Sequence, residues 1–132
     1  MTLPIRLSKD SREPIYHQIE KQIKALIAGG HIEAHTPLPS IRALSKALEV
    51  SVITTRRAYQ DLEQQGFIQT IQGKGTFVSN ISATEKQEVK VAEVHETILQ
   101  AVEAARRYDY TFSEIEAIFQ KVLASLKNNE EA

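Results

Sequence analysis

The chain has 132 residues, 42% hydrophobic and 25% charged, a composition that excludes wholesale disorder and allows one ordinary domain or a small domain with an appendage. It has no cysteine, which excludes a disulfide framework, thiolate metal sites and cysteine nucleophiles, and no apolar run long enough to span a bilayer, so the expected location is the cytoplasm. The net charge of −1 conceals a division: residues 1–80 carry ten Lys/Arg against seven Asp/Glu (+3), and residues 81–132 carry six against ten (−4).

Residues 1–12 are mixed in character and read as a flexible arm. Pro14 suits the first turn of a helix, and Ile15, Ile19, Ile23, Leu26 and Ile27 recur at spacings of three and four, predicting an amphipathic helix to about Ala28. Gly29-Gly30 stops it, and residues 31–38 read as a loop. Ser40 is placed to cap a short helix through about Leu48, with Ile41, Leu44 and Leu48 inward. Glu49-Val50 forms a turn. Ser51 then caps a third helix to about Gln65, with Tyr59 and Leu62 facing the core and Gly66 ending it. Residues 67–71 and 76–79 are β-rich runs around Gln72-Gly73-Lys74-Gly75, a hairpin signature.

Residues 82–88 are polar and read as a linker. Beyond them Val91, Val94, Ile98, Ala101, Val102, Ala105 and Tyr108 mark the apolar side of a long helix, a heptad-type seam. A bend follows over residues 108–112. Ser113 with Glu116 has capping-box spacing and opens a last helix with Ile115, Phe119, Val122 and Leu126 on one side. Two helices of this length cannot bury two apolar stripes by themselves, and pairing with the same helices of a second subunit is the simplest solution. An intramolecular hairpin folded back on the first segment is the alternative.

The fold class is thus mainly α with a small β-wing: a winged helix-turn-helix over residues 1–80, then a two-helix C-terminal dimerisation tail over 81–132. In such a module the second helix of the pair enters the DNA major groove, using exposed residues near its N-terminus, where amides and the helix dipole favour phosphate. Those residues here are Ser51, Val52, Ile53, Thr54, Thr55 and Arg56. Arg56 can bond guanine bidentately, and threonine hydroxyls can reach phosphates or bases. Ser40 and Arg42 open the preceding helix. Gly73 lets the wing backbone approach a groove closely, and Lys74 beside it supplies a cation. Lys46 and Arg57 read equally well as solvated surface cations.

The run Leu38-Pro39-Ser40-Ile41-Arg42-Ala43-Leu44, then Val50-Ser51, Thr54 to Tyr59, and Gly73-Lys74-Gly75-Thr76-Phe77-Val78, resembles the DNA-binding domain of GntR-type bacterial transcription regulators. The resemblance covers roughly residues 11–80, and the short helical tail resembles the YtrA subfamily. It implies that Arg42, Thr54 and Arg56 contact DNA, that the protein is a homodimer on a two-fold-related operator, and that it represses, a transport operon being the implied target. Three positions depart from the family pattern. Val52 stands where arginine is common, removing one expected contact, so that Val52 and Ile53 either meet a thymine methyl group or, for Ile53, belong to the core. His35 and Glu49 stand where glycine is common, and Glu49 adds negative charge beside the groove.

Other chemistries find little support. Gly73-Lys74-Gly75-Thr76 matches the end of a P-loop but lacks the earlier glycine and a following helix. No nucleophile, base and orienting group stand in a recognisable motif, so no enzyme activity and no cofactor are expected. His17, His31, His35 and His95 are scattered, and no metal site is expected. Any effector is left only the interface between tails. The second class of reading is a winged helix that docks another protein, for which clustered Arg42, Arg56 and Lys74 have no need.

Overall fold

A computed structural model describes residues 2–131. Five helices and one hairpin follow in order: α1 (Ile15–Ala28), α2 (Ile41–Leu48), α3 (Val52–Gln64), β1 (Ile68–Ile71), β2 (Gly75–Val78), α4 (Ala83–Arg107) and α5 (Phe112–Glu131). They form two compact units, one running through Lys90 and the other beginning at Val91, inside α4. The fold is the expected one, mostly helical with a two-stranded antiparallel wing.

The core of the first unit is built by periodicity. Ile19, Ile23 and Ile27 of α1 are fully covered and meet Leu44 of α2, Ala58, Tyr59 and Leu62 of α3, and Phe67, Ile68 and Val78 of the wing. The side-chain oxygens of Ser40 and Ser51 accept from the backbone N–H of Ala43 (3.0 Å) and Thr54 (3.1 Å), so each serine starts its helix. The end of α3 is closed by Phe67 N–H donating to Leu62 and Gly66 N–H to Glu63, with Gly66 in the left-handed region at φ 86°. The same bonding closes α2, from Val50 N–H to Ser45 and Glu49 N–H to Lys46, but there the left-handed residue is Glu49, at φ 58°. The helix-turn-helix turn therefore places a β-carbon where glycine is free of strain.

Several local expectations change. The arm is held, not flexible. Gln18 donates to the carbonyl of Ser8 and accepts from its N–H, and Gln22 does the same with Arg6, at 2.7–3.0 Å. Four residues along a helix rise ~6 Å and two along an extended chain ~6.6 Å, so glutamines four apart match arm residues two apart. Leu3 is buried by this arrangement, and Ile5 and Leu7 pack on the core. The presumed loop before α2 is partly sheet-like: His35 and Leu38 donate to Val78 and Thr76 at 2.8 Å, and Pro37 bridges Phe77.

The expected linker at 82–88 is helical from Ala83. Ser82 caps it, accepting from Glu85 N–H at 3.1 Å, and Val89 and Ile81 pack on the core of the first unit. A Ser-x-x-Glu signature was concealed by the polarity of its surroundings. The last helix likewise starts before Ser113. Thr111 accepts from Glu114 N–H (3.1 Å) and donates its own N–H to Glu114 Oε1 (2.9 Å), a reciprocal capping box two residues earlier than expected. The bond from Thr111 holds the Glu114 carboxyl below its usual range.

In the second unit, α4 and α5 do not pack along their lengths among the described residues. Val91, Val94, Ile98, Tyr108, Val122 and Leu126 are exposed, and Val102, Ala105 and Phe119 are partly covered. Ile115 differs from its expected place on a free seam: it is 5% exposed, already covered within a single chain. No helix among the described residues is long and apolar enough to cross a membrane.

Candidate nucleic-acid interface

Helices α2 and α3 are joined internally by a buried hydroxyl pair. Ser45 Oγ donates to Thr55 Oγ1 at 2.8 Å, and both side chains are inside. The sequence pattern sets Thr55 among the exposed reading residues, and the structure differs. Thr55 is 0% exposed, and a residue with no accessible surface cannot touch DNA. The stripe that carries Thr55 also carries Ala58, Tyr59 and Leu62. Tyr59 donates to the Pro39 carbonyl at 2.7 Å, tying α3 to the segment that leads into α2, and burial pushes its phenol pKa up.

The remaining candidates are at the surface. Ser40 and Ser51 are exposed, but their oxygens are occupied as caps, and Ser51 Oγ also shares a 2.8 Å bond with Thr54 Oγ1. Those groups help to form the helix starts that present amides outward. Arg42 and Arg56 are exposed, and among the described residues neither guanidinium has a hydrogen bond or ion pair. Arg57 is engaged elsewhere, 3.9 Å above the Tyr16 ring and 4.0 Å from Asp61, so it braces α3 on α1. Val52 and Ile53 are both exposed, and Ile53 is not core.

At the wing tip, Lys74 N–H donates to the Ile71 carbonyl at 2.9 Å and Gly73 sits at φ 79°, a turn that needs a residue tolerant of positive φ. The Lys74 ammonium is exposed and unpaired among the described residues. Wing, α2 and α3 belong to one compact unit, in which α3 packs on α2 and on β1.

The structure adds one residue that the sequence did not point to. Lys9 lines a depression of about 610 Å³ together with Ile5, Leu7 and Ile15, Glu49 of the turn, and Ser51 and Thr54 at the start of α3. The tethered arm therefore sets a cation on the rim of a depression that the N-terminal end of α3 also lines. No signal in residues 1–12 announces this, because it depends on glutamines ten or more residues away. Among the described residues no three His, Asp or Glu side chains converge to hold a metal ion.

With this geometry in place, comparison with known proteins is informative. Residues 15–78 match the family described as bacterial regulatory proteins, gntR family. The HTH-type transcriptional repressor YtrA of Bacillus subtilis is 29% identical over 123 residues, 93% of this chain and 95% of that protein. A GntR family transcriptional regulator from Listeria monocytogenes superposes with a TM-score of 0.70 at 28% identity, over 85% of this chain and 97% of the other. YtrA from Sulfolobus acidocaldarius, a GntR-family transcription factor, is 34% identical over 70% of this chain and 97% of the other, with a TM-score of 0.55. The capped helix pair, the glycine-tipped wing and relatives whose own lengths this chain spans almost completely lead to one conclusion: the chain belongs to the GntR family of bacterial DNA-binding transcription regulators and is similar to its YtrA members.

Proposed function

We propose that the protein is a repressor that binds a two-fold-symmetric operator as a homodimer, with residues 1–80 on DNA and residues 81–132 as the dimerisation tail. The observation that carries the DNA face is Arg56, exposed and unpaired in the second turn of a helix capped by Ser51. Arg42, Lys74 and the amides at the start of α3 supply phosphate contacts around it. Repression follows from occluding a promoter, as the name of the Bacillus relative suggests, and takes place in the cytoplasm where the chromosome is. A transport operon is the target that the subfamily resemblance implies.

The tail favours a second copy of itself as its partner. Val91, Val94 and Ile98 of α4 and Val122 and Leu126 of α5 are open to solvent, and the tail's −4 charge is unsuited to phosphate. Two-fold pairing of identical stripes is self-complementary, and it sets two recognition helices on successive major-groove faces.

The test is fluorescence-anisotropy binding to the chain's own upstream promoter duplex and to a scrambled duplex, each titrated with salt. The promoter is expected to bind more tightly. Arg56→Ala should lose about 1–3 kcal/mol of that preference. Lys74→Ala should weaken both duplexes alike and reduce the salt slope by about 1. Equal, weak binding to both duplexes by the unaltered protein would count against this reading.

A further inference from the structure

The buried stripe of α3 is Thr55, Ala58, Tyr59 and Leu62. At 3.6 residues per turn the opposite stripe is Ile53, Arg57, Gln60 and Gln64. Ile53 is a large apolar side chain, 76% exposed, at the second position of the helix, where every other outward residue on that stripe is polar. A β-branched residue there gains nothing in helix propensity over the alternatives. Arg57, one turn further on, is drawn back onto the Tyr16 ring and Asp61, so no cation crowds Ile53 from that side.

Of the groups that base pairs display in the major groove, the thymine 5-methyl is the apolar one. We propose, resting on the DNA-binding reading above, that Ile53 is a specificity-determining residue that packs on the 5-methyl group of a thymine in each operator half-site. Arg56 lies three residues along the helix, where side chains start about 5–6 Å apart. Base steps are about 3.4 Å. The thymine therefore falls within about two base pairs of the base that Arg56 reads. Val52, at the preceding position and less exposed, borders this contact. The chain thus substitutes an apolar contact for part of the cationic one that arginine at position 52 would bring.

The experiment starts from duplexes selected out of a random library by the full-length protein. Each thymine of the selected site is then replaced singly by deoxyuridine, which removes only the methyl group. One thymine per half-site should weaken binding by about fourfold when replaced, the scale of one methylene-sized group. Ile53→Ala, which removes the contact from both half-sites, should lose about fourfold per half-site, about 16-fold in all, on the thymine duplex, and should bind that duplex and a uracil duplex carrying deoxyuridine in both half-sites equally. Its near-normal affinity for the uracil duplex reports that it is folded. If Ile53→Ala binds neither, Ile53→Val decides: a reduced thymine preference supports the contact, and an unchanged one overturns it. A protein that selects a site yet ignores every deoxyuridine, or an Ile53→Ala variant with full thymine preference, overturns the contact and leaves DNA binding standing. Failure to enrich any sequence overturns both.

Discussion

Helices α1 and α4 carry the same kind of apolar pattern and meet opposite fates. In α1, Ile19, Ile23 and Ile27 are 0% exposed, enclosed by α2, α3 and the wing. In α4, Val91, Val94 and Ile98 are 58%, 59% and 49% exposed, and Val122 and Leu126 of α5 are open as well. Spacing at three and four residues tells that a stripe will be covered, without telling by what. The difference lies in what the chain supplies nearby. The first unit brings two more helices and a hairpin to α1, whereas the tail has one further helix, and that helix does not lie along α4 among the described residues. One unit is closed within a single chain; the other leaves most of its apolar stripe open.

This contrast can be broken by experiment. The largest effect is expected from Val122→Glu combined with Leu126→Glu, which puts two charges on the open face of α5. Sedimentation should give a monomer, with operator affinity lower by on the order of 10²-fold through loss of bivalency. A variant that still sediments as a dimer would place the interface elsewhere. Next comes a matched pair of truncations. Ile23→Ala should cost about 2–5 kcal/mol in urea unfolding at any protein concentration. Ile98→Ala should show its cost only through a concentration-dependent transition. Equal, concentration-independent losses would mean that α4 is covered within the monomer.

Smaller effects sharpen the account of the closed unit. Ser45→Ala leaves the buried Thr55 hydroxyl without its 2.8 Å partner and should cost about 1–3 kcal/mol, read from the denaturation midpoint. Glu49→Gly relieves a β-carbon at φ 58° and should raise stability by up to about 1 kcal/mol in a thermal melt. A lower melting temperature there would mean that the side chain contributes more than the backbone strain removes.

Much of this was legible from residues alone, for identifiable reasons. Ser40 and Ser51 announce helix starts because a short hydroxyl side chain reaches its own helix's free amides. Gly73-Lys74-Gly75 announces the wing because positive φ narrows the choice of residue. The unusual His35 and Glu49, noted where glycine is common, both occupy left-handed backbone at φ 67° and 58°, which accounts for the glycine preference. Errors arose where two signals competed. Ser113-x-x-Glu116 and Thr111-x-x-Glu114 both fit a capping box, and only the geometry of the bend selects the second. Thr55 sits one residue from outward-facing side chains, and polarity suggested exposure. Its hydroxyl is instead satisfied inside by Ser45.

Local chemistry therefore determined by itself the helix pair, the hairpin, the amphipathic tail and the GntR resemblance. Each depends on caps, turn residues or periodicity within a few neighbours. The tertiary structure decided what depends on residues distant in sequence. The Gln18 and Gln22 side chains hold the arm and set Lys9 on the rim of a depression that the start of α3 also lines. The Ser45–Thr55 pair takes one threonine out of the reading face, and packing leaves Ile53 outside the core. Burial is a property of what packs against a side chain, and a one-dimensional pattern carries the demand for a partner but not the partner itself.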